Sequence, residues 1–293
     1  MSIEPNTFVY KSADGCDIQA DVMLPTRLLK RPPAIVFIHG GALIMGSRRR
    51  MPLGQLTRFL SAGYVVVSID YRLAPETKLP QVIEDVQDAF RWVREKGVEL
   101  FRIDPERVAA VGQSAGGYLT LMAGFCVTPR PAALVSFYGY GDIAGDWYSK
   151  PDPFYRKQPA VSREAAMLSV GKTAICESDD SREPFYLYCR QNGLWPNEVA
   201  GLDPVSQRDA FKPYCPLQNV SPEYPATVLL HGDKDTDVPC EQSAMMASAL
   251  SRAGVDSALV TIEGGGHSFD YDEEKPDTIR ALDLVMSFLK EHV

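Results

Sequence analysis

The strongest chemical signal in the sequence is Gly112-Gln113-Ser114-Ala115-Gly116. Glycines two positions either side of a serine allow a sharp turn, because no Cβ atoms crowd it. With a strand before and a helix after, the hydroxyl projects at a helix N-terminus, whose free N–H groups favour developing negative charge. Such a hydroxyl is a weak nucleophile until a base takes its proton. Four histidines are available: His39, His231, His267 and His292. His267 lies in Glu263-Gly264-Gly265-Gly266-His267-Ser268-Phe269, where the glycine run lets the backbone turn the ring inward. A carboxylate must then hold the imidazole tautomer. The loop from His231 to Pro239 offers Asp233, Asp235 and Asp237. It has too few carboxylates at fixed spacing for a calcium loop. His39-Gly40-Gly41-Ala42 supplies glycine amides that can closely approach a tetrahedral intermediate; Gly40 and Gly41, with the Ala115 N–H, are the candidate oxyanion donors.

These residues need a scaffold, and the hydrophobic pattern describes one. Thr7–Tyr10 and Ile18–Met23 read as a hairpin turning at Asp14-Gly15. Pro33–Ile38, Tyr64–Ile69, Arg107–Val111, Ala132–Tyr138 and Ala226–Leu230 are apolar runs, as expected of strands buried on both faces of a parallel sheet. Ser257–Ile262 is a further strand. Helices are predicted at Leu53–Ala62, Gln81–Lys96, Ala115–Phe125, Glu241–Arg252 and Thr278–His292. Strand and helix alternate except between about 139 and 225, where aromatics and prolines crowd and only short helical patches remain. A structureless loop of that length is uncommon in a compact domain, so the stretch is predicted to be a helical cap over the strand ends.

The arrangement is that of a mostly parallel, doubly wound sheet with helices on both faces and a cap insertion. It resembles the α/β-hydrolase fold, read as a single domain over 1–293. In that fold the order is serine, then acid, then histidine, which selects His267 as base. The acid follows the strand Ala226–Leu230. Asp235 fits the H-G-x-x-D-x-x-V-P pattern of the fold, with Asp237 as the alternative.

Three segments carry a closer resemblance: His39-Gly40-Gly41, Asp70-Tyr71-Arg72-Leu73-Ala74-Pro75-Glu76 and Gly112-Gln113-Ser114-Ala115-Gly116-Gly117. They are similar to the hormone-sensitive-lipase-like carboxylesterases. The later segments, His231–Pro239 and Gly264–Phe269, resemble the small esterase and acyl-peptidase branch. The likeness covers about 30 to 290 without the cap. Two departures stand out. Ala42 replaces the last glycine of the usual H-G-G-G, and the D-P-L-x-D acid motif is absent. The resemblance implies a structural role for the Tyr71–Glu76 stretch.

The bulk composition sets limits. Over 293 residues, 45% are hydrophobic and 23% charged, enough for a large core. A net charge of −8 excludes a basic nucleic-acid face. Neither a signal peptide nor a span of membrane length is apparent, and the six scattered cysteines read as reduced thiols, so a cytoplasmic location is expected. The expected activity is hydrolysis of a small-molecule carboxylic ester through an acyl-enzyme, with no metal or organic cofactor. An amide or formamide hydrolase, or an acyl transferase, would use the same residues. A non-catalytic small-molecule receptor on this fold is the alternative of another class. Association into a homodimer stays open. Trp147, Tyr148, Phe154, Tyr155, Phe185, Tyr186, Tyr188 and Trp195 would line an apolar pocket or pack the cap's own core. Arg48-Arg49-Arg50 reads as a solvated face, as do Glu84 and Asp85 on the long helix.

Overall fold

The computed structural model describes residues 3–27 and 29–293; Met1, Ser2 and Leu28 lie outside the description. One eight-stranded sheet is built from β1 (Asn6–Ala13), β2 (Cys16–Met23), β3 (Ala34–Ile38), β4 (Val65–Ile69), β5 (Val108–Gln113), β6 (Ala133–Phe137), β7 (Ala226–Gly232) and β8 (Ser257–Ile262). Their order is β1-β2-β4-β3-β5-β6-β7-β8. The hairpin β1–β2 and the pair β2–β4 are antiparallel; every other pairing is parallel. This is the α/β-hydrolase fold.

The central strands are apolar on alternate residues toward both sides, and each set enters a different core. In β3, Ala34, Val36 and Ile38 pack on one face and Ile35 and Phe37 on the other. The first face is covered by α2 (Leu79–Trp92), α4 (Ala115–Cys126) and α9 (Glu241–Arg252). The second is covered by α1 (Leu53–Ser61) and α10 (Pro276–His292). The predicted helix at 81–96 is not uniform. After Trp92 the chain makes a π-helical turn, Val93–Gly97, before the short α3 (Val98–Phe101), and the wider turn keeps both Val93 and Gly97 buried.

The segment at 139–225 carries α5 (Asp146–Ser149), α6 (Arg163–Leu168), α7 (Glu183–Asn192) and α8 (Trp195–Ala200), with 3₁₀ turns before α6 and α7 and after α8. Its aromatics mainly pack on one another. Trp147 stacks on Tyr148 at 3.8 Å and Tyr148 on Trp195 at 4.1 Å. The own-core alternative therefore holds for most of them.

Two charge readings are corrected. Asp85 is fully buried, because Arg72 and Lys11 converge on its carboxylate at 2.7–3.0 Å. Glu84 is exposed as expected. Arg48 is also buried: its guanidinium pairs with Asp21 at 2.9 Å and with Asp70. Only Arg49 is a largely solvated member of that run. The Tyr71–Glu76 stretch acts as a brace. Arg72 binds α2 through Asp85, the Ala74 N–H donates to Leu43 O at 2.8 Å, and Glu76 accepts from Arg182 and from Gly171 N of the inserted segment.

Candidate active site

Parallel strands in the order β3-β5-β6-β7-β8 place the loops that follow them side by side at their C-terminal ends. The loop after β3 carries Gly40 and Gly41, that after β5 carries Ser114, that after β7 Asp235, and that after β8 His267. Ser114 sits between β5 and α4 with φ 54° and ψ −118°, a strained conformation for a residue with a side chain. Gly112 and Gly116 permit it. A Cβ on Gly112 would lie 2.2 Å from Gly116 O, and one on Gly116 would lie 1.9 Å from Ile38 O.

The three distant side chains meet. The Ser114 hydroxyl is 3.1 Å from His267 Nε2, and His267 Nδ1 is 2.7 Å from Asp235 Oδ2. The side chain of Asp235 is wholly buried, and its Oδ1 accepts from the amides of Asp237 at 2.8 Å and Val238 at 2.9 Å. Burial alone would raise the pKa of this carboxyl. Hydrogen bonds from His231 and His267 overcome that and hold it well below the usual carboxylate range. The ring of His267 responds in the opposite sense. Burial lowers its pKa, but Asp237 and Asp235 more than compensate, and it stands above the ordinary histidine value.

Of the acid candidates, Asp235 therefore faces Nδ1. Asp237 lies on the other side of the ring, with Oδ2 3.4 Å from Nε2. Asp233 caps the turn at Gly264 N at 2.7 Å. His231 is a partner the sequence did not single out. Its Nε2 faces two acceptors, Val238 O at 3.0 Å and Asp235 Oδ2 at 3.2 Å, so it carries the proton and braces the acid.

Gly40 lies against the serine: a Cβ there would be 3.2 Å from Ser114 Cβ. Gly41 has φ 112°, and a Cβ would fall 2.0 Å from Met45 O, so no other residue fits this turn. Among the described residues the Gly40 and Gly41 amides have no backbone acceptor, and Ala115 N heads α4. Ala42, at φ 56°, is buried and accepts the Trp195 indole N–H at 2.9 Å. His39 faces away from this chemistry. It stacks on Tyr71 at 4.3 Å, and its Nδ1 donates to Gly40 O at 2.7 Å.

A second buried cluster underlies the first. Asp270 accepts from Gln55 at 2.6 Å, Tyr138 at 2.7 Å and Gln113. Burial raises its pKa. The Tyr138 ring in turn packs 4.5 Å from the imidazole of His267. Nucleophile strand and histidine loop are thus pinned to one carboxyl. The cleft above has a volume of about 330 Å³ and is lined by Ser114, His267, Gly40, Gly41, Tyr186 and Asp237, with Arg50 and Glu183 also on its walls. Arg50, expected to be solvated, pairs with Asp180 at this rim.

The BD-FAE family model matches residues 20–250. The chain belongs to the BD-FAE family. This BD-FAE member is 30% identical over 300 residues to the non-reducing polyketide synthase ascC of Acremonium egyptiacum, a match covering 90% of this chain. The chain spans only 14% of that relative's length. Among solved structures, an alpha/beta hydrolase superfamily protein from Enterococcus faecalis superposes with a TM-score of 0.74 at 23% identity, covering 99% of this chain and 100% of the other. The propionate-bound thermophilic esterase Est2 of Thermogutta terrifontis gives 0.70 at 24%, covering 98% and 94%. Both likenesses bear on the fold. Among the described residues of this BD-FAE member, no helix is long and apolar enough to cross a membrane.

Proposed function

We propose that this protein is a serine hydrolase that cleaves a small-molecule carboxylic ester through an acyl-enzyme. The observation that carries the reading is the continuous hydrogen-bonded path from the Ser114 hydroxyl through His267 to buried Asp235, with links of 3.1 and 2.7 Å. In this reading His267 Nε2 takes the serine proton as Oγ attacks the ester carbonyl. The Gly40, Gly41 and Ala115 amides receive the oxyanion. His267 returns its proton to the leaving alcohol, and water repeats the sequence to release the acid. Asp235 holds the Nδ1–H tautomer and stabilises the imidazolium. The segment at 139–225 serves as the cap of a single domain. Gly40, Gly41, Ser114 and His267 line the same cleft, which supports acyl chemistry.

The polyketide synthase relatives favour a second reading with the same residues, in which the acyl group is a polyketide; an alcohol or amine acceptor in place of water would make the reaction a transfer. One experiment addresses both. A panel of p-nitrophenyl esters of rising chain length, with an N-formyl amide alongside, is run with and without an added alcohol or amine acceptor. Turnover of the esters with labelling of Ser114 by a fluorophosphonate supports the hydrolase. Transfer product in preference to free acid selects the second reading. A protein that neither turns over nor labels is a receptor, and the proposal fails.

A further inference from the structure

Each nitrogen of His267 faces its own carboxylate. Asp235 meets Nδ1, and Asp237 Oδ2 lies 3.4 Å from Nε2, the atom that faces the Ser114 hydroxyl. Asp237 does not lie there loosely. Its Oδ1 accepts from Tyr155 Oη at 2.7 Å, from Arg190 Nη1 at 2.7 Å and from Tyr186 Oη. Arg190 also donates to the Asp237 carbonyl at 2.9 Å and to Asp152 at 2.7 Å. That guanidinium is only 1% exposed and lies over the rings of Tyr155 and Tyr148. Three side-chain groups thus fix one oxygen and leave the other directed at the base. Among the described residues Oδ2 has no other polar partner.

We propose that Asp237 is a further catalytic residue, a second carboxylate acting on the proton-carrying nitrogen of His267. The inference rests on the serine-hydrolase reading. As the Ser114 O–H bond breaks, its electron pair forms the new bond from Oγ to the acyl carbon, and the proton moves to Nε2. The bond to the leaving oxygen then breaks, and that oxygen takes the proton from Nε2. Asp237 takes no proton. Between the two transfers the Nε2–H lies between the leaving oxygen and Oδ2, and a fixed anion at this distance lowers the energy of the positive ring. Arg190 sits behind the carboxylate and limits the attraction. All the donors to Oδ1 come from the 139–225 segment, which makes the strength of the base depend on how that segment is seated.

Other charges face the same ring. Asp235 comes from the same loop as Asp237, Asp270 from the ring's own loop, and Tyr138 from the end of β6. Tyr186, Arg190 and Glu183 come from α7, and the Arg50–Asp180 pair and Tyr271 from the rim. None of these side chains is itself altered when Asp237 alone is changed. Asp237→Asn keeps an oxygen for Tyr155, Tyr186 and Arg190, removes the negative charge and sets an amide NH2 in place of Oδ2 beside Nε2.

The experiment is the pH dependence of kcat/KM for p-nitrophenyl butyrate. Neutral His267 is the active base, so an anion beside it holds the acid limb at higher pH. In Asp237→Asn the midpoint of that limb should move down by about one pH unit, with a several-fold fall in plateau kcat. Asp237→Glu should restore it toward the wild-type position. A purely structural role would lower kcat without moving the limb, and an unmoved limb in folded Asp237→Asn overturns the proposal. Should the single variant not fold, Asp237→Asn with Arg190→Gln removes both charges together. The nearer charge dominates, so the limb should again move down, and its failure to do so counts equally against the idea. A wild-type protein that neither turns over ester nor reacts with a fluorophosphonate would instead sink the hydrolase reading itself.

Discussion

The indole N–H of Trp195 donates to the carbonyl of Ala42 at 2.9 Å, joining α8 to the glycine loop beside Ser114. Trp195 is fully buried in the aromatic stack, so the bond has no competing water. Trp195→Phe keeps most of the ring and leaves the buried carbonyl unpaired. That should cost about 1–3 kcal/mol of stability. Because the peptide plane at Ala42 would relax, kcat should fall more than KM changes. Thermal melts and steady-state kinetics on the same samples check both.

Ser114→Ala should abolish turnover of p-nitrophenyl acetate while the protein stays folded. The loss should be on the order of 10⁴ or more in rate, since neither the base nor the amide donors can replace the nucleophile. Intact mass after fluorophosphonate treatment gives the second readout: one adduct on the wild type, none on the variant.

The acid and its brace should separate by magnitude. Asp235→Asn presents an amide to Nδ1 and favours the wrong tautomer, with an expected loss of about 10⁴ in kcat. His231→Gln removes one of several donors to Asp235. It should cost about tenfold, equivalent to one charge-assisted hydrogen bond of roughly 1.5 kcal/mol. Equal losses in the two variants would move the acid's role elsewhere.

The strand and helix positions were legible because apolar runs and helical spacing report burial directly. Ser114 was legible because its conformation demands glycines, and Gly112 and Gly116 stand within two residues of it. Loop order pointed to the segment His231–Pro239, the motif pattern favoured Asp235 within it, and only the folded geometry separates Asp235 at Nδ1 from Asp237 at Nε2. Other residues left no local trace. Asp270 binds side chains 215, 157 and 132 residues away, so its role exists only once α1, β5 and β6 are assembled. Asp85 lies on a helix whose spacing announces the apolar face but not a carboxylate turned inward to meet Arg72 and Lys11. Arg48 shares a run of three like residues, and only the approach of Asp21 and Asp70 from β2 and the end of β4 separates it from Arg49.

His39 makes stability depend on pH. Burial pushes its pKa down to about 4, with only partial relief from its bond to Gly40 and a further small push from Arg50. A histidine depressed in the folded state binds its proton first when unfolded. Its contribution is therefore fully present above the unfolded value near 6.5 and is lost as pH falls toward 4. The span corresponds to about 3 kcal/mol. Asp70, raised by burial to about 6 against the opposing pull of Arg48, titrates in the same window with the opposite sign. Stability conferred by its protonated form is lost as pH rises from about 4 to 6. Comparison with His39→Asn separates the two, because Asp70 is common to both proteins. Urea unfolding between pH 4 and 7 should show wild-type stability climbing relative to the variant by up to that amount, then running parallel above pH 6.5. A constant difference across the range would mean that His39 is not held neutral in the fold.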